Sequence, residues 1–313
     1  MSKVSIEPIG YALGARVTGI DLSQPIGEAD FDLIHRGWLE HLVLVFPNQD
    51  LEPRSLVAFT ERFGELDDFS NQVVHHDAEY QQVMKLTNRP QDGKPSKTYN
   101  AGQNWHTDQS YTVRPAKATA VYCIERPSVG GDTMFANMYL SLETLSPKLQ
   151  EILHGLEGIH DASLIEGLDK RGPDVVTEFK RKNPPVVHPA VRLHPESGRH
   201  ALYVNERVRR FVGMSETESR PLIRFLCEHA VTPRNVYRHS WSVRDLVIWD
   251  NRCLMHMAVG DYDPAEIRHM IRTSGRGEHF GRLAELQSPT PDEQSVAERK
   301  PHQLAAEVAS LDD

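Results

Sequence analysis

From residue 83 onward the chain is a succession of short, strand-like apolar runs. They read "VMKLT", "ATAVYCI", "DTMFA", "PVVHPAVRLH", "HALYVN", "VYRHSWS", "DLVIWD" and "RHMIRTS", with turn-forming residues between them. Strands this short and this numerous bury their apolar side only by pairing into a sandwich or a barrel. Two helices are expected to interrupt them. One covers about 140–156, "LSLETLSPKLQEILHGL"; the other follows Ser215, which forms a capping-box pattern with Glu218. Upstream, "VSIEPIG" and "ARVTGIDL" read as strands, and "EADFDLIHRGWLEH" has apolar residues at helical spacing. "LVLVF" reads as a buried strand, and "PRSLVAFTERFG" as a helix between Pro53 and Gly64. The expected class is mainly β with added helices. The polar segment 163–185 shows no clear period and reads as a long mobile loop, a possible lid. The expected organisation is one domain over 1–285 and a peripheral tail over 286–313.

Composition narrows the function classes. The net charge of −9 argues against non-specific nucleic-acid binding. No apolar run reaches the roughly 20 residues of a membrane span, and the start lacks the apolar stretch of a signal peptide. Three scattered cysteines suggest a reducing compartment. A cytoplasmic protein is expected, with no nucleic-acid or membrane partner.

Among 16 histidines, the pattern His-x-Asp occurs twice, at His106/Asp108 in "QNWHTDQSY" and at His75/Asp77 in "VHHDAEY". A non-haem iron site needs two imidazoles and one carboxylate on one side of the metal, with open positions left for reactants. On a strand, residues two apart point the same way, so His106 and Asp108 could reach one ion. His256, in "DLVIWDNRCLMHMAVGDY", offers the third ligand from a distant part of the chain. Arg268 and Arg272 in "RHMIRTS" would share one strand face. Two inward guanidinium groups are costly without anions, and arginine matches carboxylates through a two-pronged fork. That pattern suggests two acidic small molecules, or one with two acidic ends. His75/Asp77 reads as a solvated loop, His188 and His194 as structural, and Cys253 as a buried small apolar residue. The same three ligands would also suit a zinc-dependent hydrolase, and a non-catalytic jelly-roll binding protein is the remaining alternative.

The ordered set "NWHTDQSY", "GGDTMFANMY", "VIWDNRCLMH" and "RHMIRT" resembles the successive signatures of the taurine/2,4-dichlorophenoxyacetate dioxygenase family. The similarity runs from about residue 5 to 280. The resemblance implies a double-stranded β-helix, or jelly roll. It also implies Fe(II), 2-oxoglutarate and O2, with hydroxylation of a small anionic organic substrate accompanied by release of succinate and CO2. At matching positions it implies iron ligation by His106, Asp108 and His256. Thr133 and Arg268 would bind the distal carboxylate of 2-oxoglutarate, and Arg272 would face the anionic group of the primary substrate. A homodimer or homotetramer would be usual for such proteins. Taurine-specific members carry a histidine and a tyrosine shortly after the "RFG" element and an asparagine four residues before the first iron histidine. Here "RFGELDDFSNQ" has neither, and Gly102 holds the asparagine's place. The "WDNRCLMH" wording is similar to the aryloxyalkanoate-degrading side of the family.

Overall fold

A computed structural model describes residues 3–69, 76–90, 102–168 and 172–285. The expected tail, 286–313, and His75 lie outside the described residues. The elements begin with β1 (Ser5–Pro8), β2 (Ala15–Thr18), α1 (Glu28–His41), β3 (Val43–Phe46), α2 (Pro53–Glu61), β4 (Met84–Thr87), β5 (Ala116–Glu125) and β6 (Thr133–Asn137). There follow α3 (Met138–Glu143), α4 (Pro147–His154), β7 (Glu157–His160), α5 (Pro173–Lys182), β8 (Val186–Pro189), β9 (Val191–Leu193), β10 (His200–Leu202) and β11 (Val208–Phe211). The last are α6 (Glu216–Ala230), β12 (Val236–His239), β13 (Leu246–Asp250), β14 (Leu254–Ala258), β15 (His269–Arg276) and β16 (Arg282–Leu283).

The largest sheet has seven strands in the order β1-β2-β3-β13-β5-β15-β4. All its pairs are antiparallel except β2 with β3. Its central strand β13 explains why "LVIWD" is apolar without alternation. Leu246 and Ile248 pack into one core with Trp38 of α1 and Phe59 of α2, while Val247 and Trp249 pack into a second core with Phe135 and Met255. A strand buried on both faces needs apolar residues at every position. The second core is closed by the three-stranded sheet β12-β6-β14 together with α3, α6 and the β9–β10 pair. A four-stranded sheet, β11-β7-β8-β16, completes the set. His256, one of the residues expected to bind metal, lies on the side of this second core, with its ring against Phe135 and Trp249.

Two expectations are corrected. The single helix over 140–156 is two, α3 and α4, because Pro147 lacks an N–H and its ring blocks continuation, so it opens a new helix after Ser146. The segment 163–185 is not a plain loop: it holds the end of a 3₁₀ turn and the whole of α5. Pro173 and Asp174 open α5 and Lys180, Arg181 and Lys182 close it, the charge order a helix dipole favours. It has no buried residue among its ten, so its apolar pattern is too thin to register as a period. The α6 capping box is present, with Ser215 Oγ accepting from the Glu218 N–H at 3.3 Å and Glu218 accepting from the Ser215 N–H at 2.8 Å.

Candidate metal centre

His106 and Asp108 converge, but not through a regular strand. His106 forms an isolated antiparallel bridge with His256 of β14, and Asp108 begins a turn. The two histidines exchange backbone hydrogen bonds of 3.0 and 2.9 Å. Residues paired in this way present their side chains on one face, and the rings lie 4.3 Å apart between centroids. His106 Nε2 is 3.6 Å from Asp108 Oδ1, and His256 Nε2 is 3.7 Å from Asp108 Oδ2. One ligand atom from each of the three residues lies within 4.8 Å of the others, and all three residues are buried.

The surroundings put each group in its ligating form. His106 Nδ1 lies 2.7 Å from the Asn104 carbonyl, so Nδ1 carries the proton and Nε2 keeps a free lone pair. Burial pushes His106 down, with the charge of Arg207 adding to it. Burial and the neighbouring His106 push His256 well down. Burial opposes the charge on Asp108, but the Arg272 guanidinium beside it, at 3.0 Å from Oδ2, holds the carboxyl well below its usual range. Two neutral imidazoles and one carboxylate are the donor set of an open metal site. His256 Nδ1 is buried without a hydrogen-bond partner, so the backbone pairing, not a bond to Nδ1, orients this ring.

Asp108 is held by residues the sequence reading missed. Thr119 Oγ1 donates to Asp108 Oδ2 at 2.8 Å, and Asn251 Nδ2 donates to Thr119 Oγ1 at 2.9 Å. Asn251 Oδ1 accepts from the Asp108 N–H at 3.3 Å and from Trp249 Nε1 at 3.1 Å. The "WDN" run supplies both Trp249 and Asn251, and that polar step after an apolar strand was the available signal.

Thr133, Arg268 and Arg272 reach the same cavity, of about 230 Å³. Arg268 lies just before β15, and Arg268, Met270 and Arg272 all face the cavity while Ile271 faces the other core, as a two-residue period requires. Arg268 Nε donates to the Gly131 carbonyl at 2.9 Å. Gly131 has φ +71°, and a Cβ there would meet Pro127 at 2.9 Å and Arg268 at 3.4 Å. The "GGDT" turn therefore brings its backbone against Arg268. Thr133 Oγ1 accepts from Trp241 Nε1 at 3.0 Å, which leaves its own proton to donate. Among the described residues Arg268 has no carboxylate partner, and burial lowers its pKa. Arg272, by contrast, is already engaged by Asp108, and its Nε and Nη2 donate to Ser274 Oγ at 3.2 and 2.9 Å. A third arginine in the wall, Arg207, was not foreseen.

The remaining histidines and Cys253 do other work. Asp77 accepts from the Glu79 and Tyr80 N–H groups at 3.1 and 3.2 Å, a local turn. His194 pairs with Asp250 at 2.9 Å. His194, Asp250 and Cys253 also lie within ligating distance of one another, but Arg252 clamps Asp250 through Nε at 2.8 Å and Nη2 at 2.7 Å. A guanidinium already neutralising the carboxylate disfavours a cation there. Cys253 is buried, and burial pushes its thiol well up.

The family model described as "Taurine catabolism dioxygenase TauD, TfdA family" matches residues 5–274. The alpha-ketoglutarate-dependent 2,4-dichlorophenoxyacetate dioxygenase of Cupriavidus pinatubonensis is 34% identical, over 87% of this chain and 97% of that one. The (S)-phenoxypropionate/alpha-ketoglutarate-dioxygenase of Delftia acidovorans is 27% identical, over 89% of this chain and 97% of that one. A crystal structure of AAD-2 with Mn(II) and N-oxalylglycine superposes with a TM-score of 0.74 at 28% identity, covering 88% of this chain and 98% of that one.

Proposed function

The chain belongs to the taurine catabolism dioxygenase TauD, TfdA family and is an Fe(II)- and 2-oxoglutarate-dependent dioxygenase, and from that premise we propose that its primary substrate is an aryloxyalkanoate-like acid. Family membership removes the zinc hydrolase and the non-catalytic binding protein. His106, Asp108 and His256 are the proposed iron ligands, a reading carried by their convergence within 4.8 Å in buried positions at the cavity. The bound iron supplies the activation of O2 and of 2-oxoglutarate, whose oxidative decarboxylation to succinate and CO2 accompanies hydroxylation of the substrate.

The chain's own residues bind, orient and exclude water. Arg268, which has no carboxylate of its own among the described residues, and the Thr133 hydroxyl would hold the distal carboxylate of 2-oxoglutarate. Arg272 would face the acidic group of the primary substrate while it steadies Asp108. Trp105, Tyr111, Phe179, Leu164 and Leu168 give the cavity an apolar and aromatic wall suited to an aryl body. The 2,4-dichlorophenoxyacetate and (S)-phenoxypropionate dioxygenases among the relatives support the same class. Gly102 supports a substrate other than taurine: it has φ +82°, and a Cβ there would sit 3.2 Å from His106 Cε1. A side chain at this position would be strained and would crowd His106, and the chain carries none there.

We read the sheets as a jelly-roll core forming one domain to residue 285, in a cytoplasmic homo-oligomer. Among the described residues no helix is long and apolar enough to cross a membrane.

The test is an anaerobic titration with Fe(II) and 2-oxoglutarate, followed by a succinate-release screen of aryloxyacids, other carboxylates and sulfonates. Iron and 2-oxoglutarate should bind together, and an aryloxyacid should stimulate succinate release. Stimulation by taurine alone would defeat the substrate assignment.

A further inference from the structure

Arg207 lies in the turn between β10 and β11, and its position is fixed on both sides. Its N–H donates to Asn205 Oδ1 at 2.9 Å, and its carbonyl accepts from the Asp161 N–H at 2.9 Å. The next residue, Val208, pairs with His160 in β7. The side chain turns into the cavity, where the guanidinium lies 5.6 Å from the centre of the Tyr111 ring. Nη1 donates to the carbonyl of Thr107, between two of the proposed iron ligands, at 3.1 Å.

No carboxylate among the described residues pairs with this guanidinium. Glu166 and Glu206 line the same cavity, but neither comes within ion-pairing distance of it. Arg272 is differently placed, with Asp108 and Ser274 occupying its Nε and Nη2 and leaving Nη1. A partly buried cation with no ion-pair partner among the described residues keeps donors free for an anion. Here the donors left over belong to Arg207, which points into the chamber read above as the primary-substrate site.

We propose that Arg207 is a specificity-determining residue that receives the acidic group of the primary substrate, clamping it together with the free edge of Arg272. This rests on the reading of the cavity as the site of an aryl acid. The ligand class is a carboxylate or sulfonate on an aromatic body. The anion lies across Arg207 and Arg272, and the ring lies toward Tyr111 and Phe179, whose own rings meet edge-on at 6.1 Å. The iron side and the Arg268 side remain for 2-oxoglutarate.

The experiment measures binding of phenoxyacetate and benzenesulfonate by calorimetry to the oxygen-free protein loaded with Mn(II) and 2-oxoglutarate. Arg207→Gln should weaken binding of at least one of these acids about 30-fold or more. Arg207→Lys should fall between the two, because it keeps the charge and loses the fork. Affinity for Mn(II) and 2-oxoglutarate should stay within about 2-fold, since the proposed role touches neither. Unchanged acid binding by Arg207→Gln overturns the assignment and leaves the substrate class standing. Lost metal affinity would make Arg207 a strut for Thr107, and lost 2-oxoglutarate affinity would move it to the co-substrate site; either overturns the proposal. A wild-type protein that binds neither acid overturns the proposal and the substrate class together.

Discussion

His106 and His256 are hydrogen-bonded to each other through their backbones in both directions, at 3.0 and 2.9 Å. The pairing fixes the two imidazoles side by side before any metal arrives, and it does not depend on the imidazoles themselves. His256→Ala should therefore abolish Fe(II) binding while moving the melting temperature by no more than about 4 °C. Anaerobic metal titration beside thermal unfolding checks both parts, and a collapsed fold would show that the ring itself holds the bridge.

Asp108, the proposed carboxylate ligand, depends on its neighbours. Thr119→Val keeps the shape but removes the donor to Asp108 and the acceptor for Asn251. Metal affinity should fall roughly 10- to 100-fold, the usual effect of losing a partner that orients a ligand. Fe(II) affinity measured with and without 2-oxoglutarate tests this, and an unchanged value would make the Thr119 contact incidental.

Arg268→Gln should raise the KM for 2-oxoglutarate by about 30-fold or more, because a charge-assisted pair is lost. Fe(II) affinity should stay near the wild-type value. Steady-state succinate release at varied 2-oxoglutarate gives the answer, and a rise in the KM of the organic acid instead would reverse the assignments of Arg268 and Arg272.

Gly102→Ala places a methyl 3.2 Å from His106 Cε1 at φ +82°. The strain is of order 1–2 kcal/mol. Fe(II) affinity should drop more than global stability does, because His106 is the neighbour displaced. Equal losses in both would locate the damage in the fold.

Stability should decline on mild acidification. Burial, with the Arg192 charge adding to it, pushes buried His188 down to about 4. Between pH 6.5 and 4 the unfolded chain takes up a proton that the folded chain refuses. The contribution is present above pH 6.5 and is lost as the pH falls, by up to about 1.4 kcal/mol per unit. His160, also pushed well down by burial, acts in the same direction. Urea unfolding at pH 7.5 and 5 should show the decline, with a shallower one for His188→Gln. An identical slope in that variant would assign the acid sensitivity to other groups.

Much of the site was legible because its residue types are rare in combination. His106, Asp108, His256, Thr133, Arg268 and Arg272 lie in short ordered motifs, and all six line the cavity. Arg207 was not legible. "NERVRRF" contains three arginines, and nothing local distinguishes the one that enters the cavity from Arg209, which pairs with Asp161 and Glu216 on the other side. The α5 helix was hidden because none of its residues is buried, so no core imposes a period on it.

The sequence by itself determined the strand-rich class, the α6 capping box, the inward face shared by Arg268 and Arg272, and the chemical types at the site. These are local properties, set by side-chain periodicity and by residues within one turn of each other. The tertiary structure alone decided that His106 bridges to His256, that Thr119 and Asn251 steady Asp108, and that Arg207 stands in the wall with no carboxylate partner among the described residues. Those relations join segments about 100 residues or more apart in most cases, and their register is set by which strands pair across the sheets. Side-chain pattern specifies that a strand will be buried; only the assembled sheets specify which residue it will face.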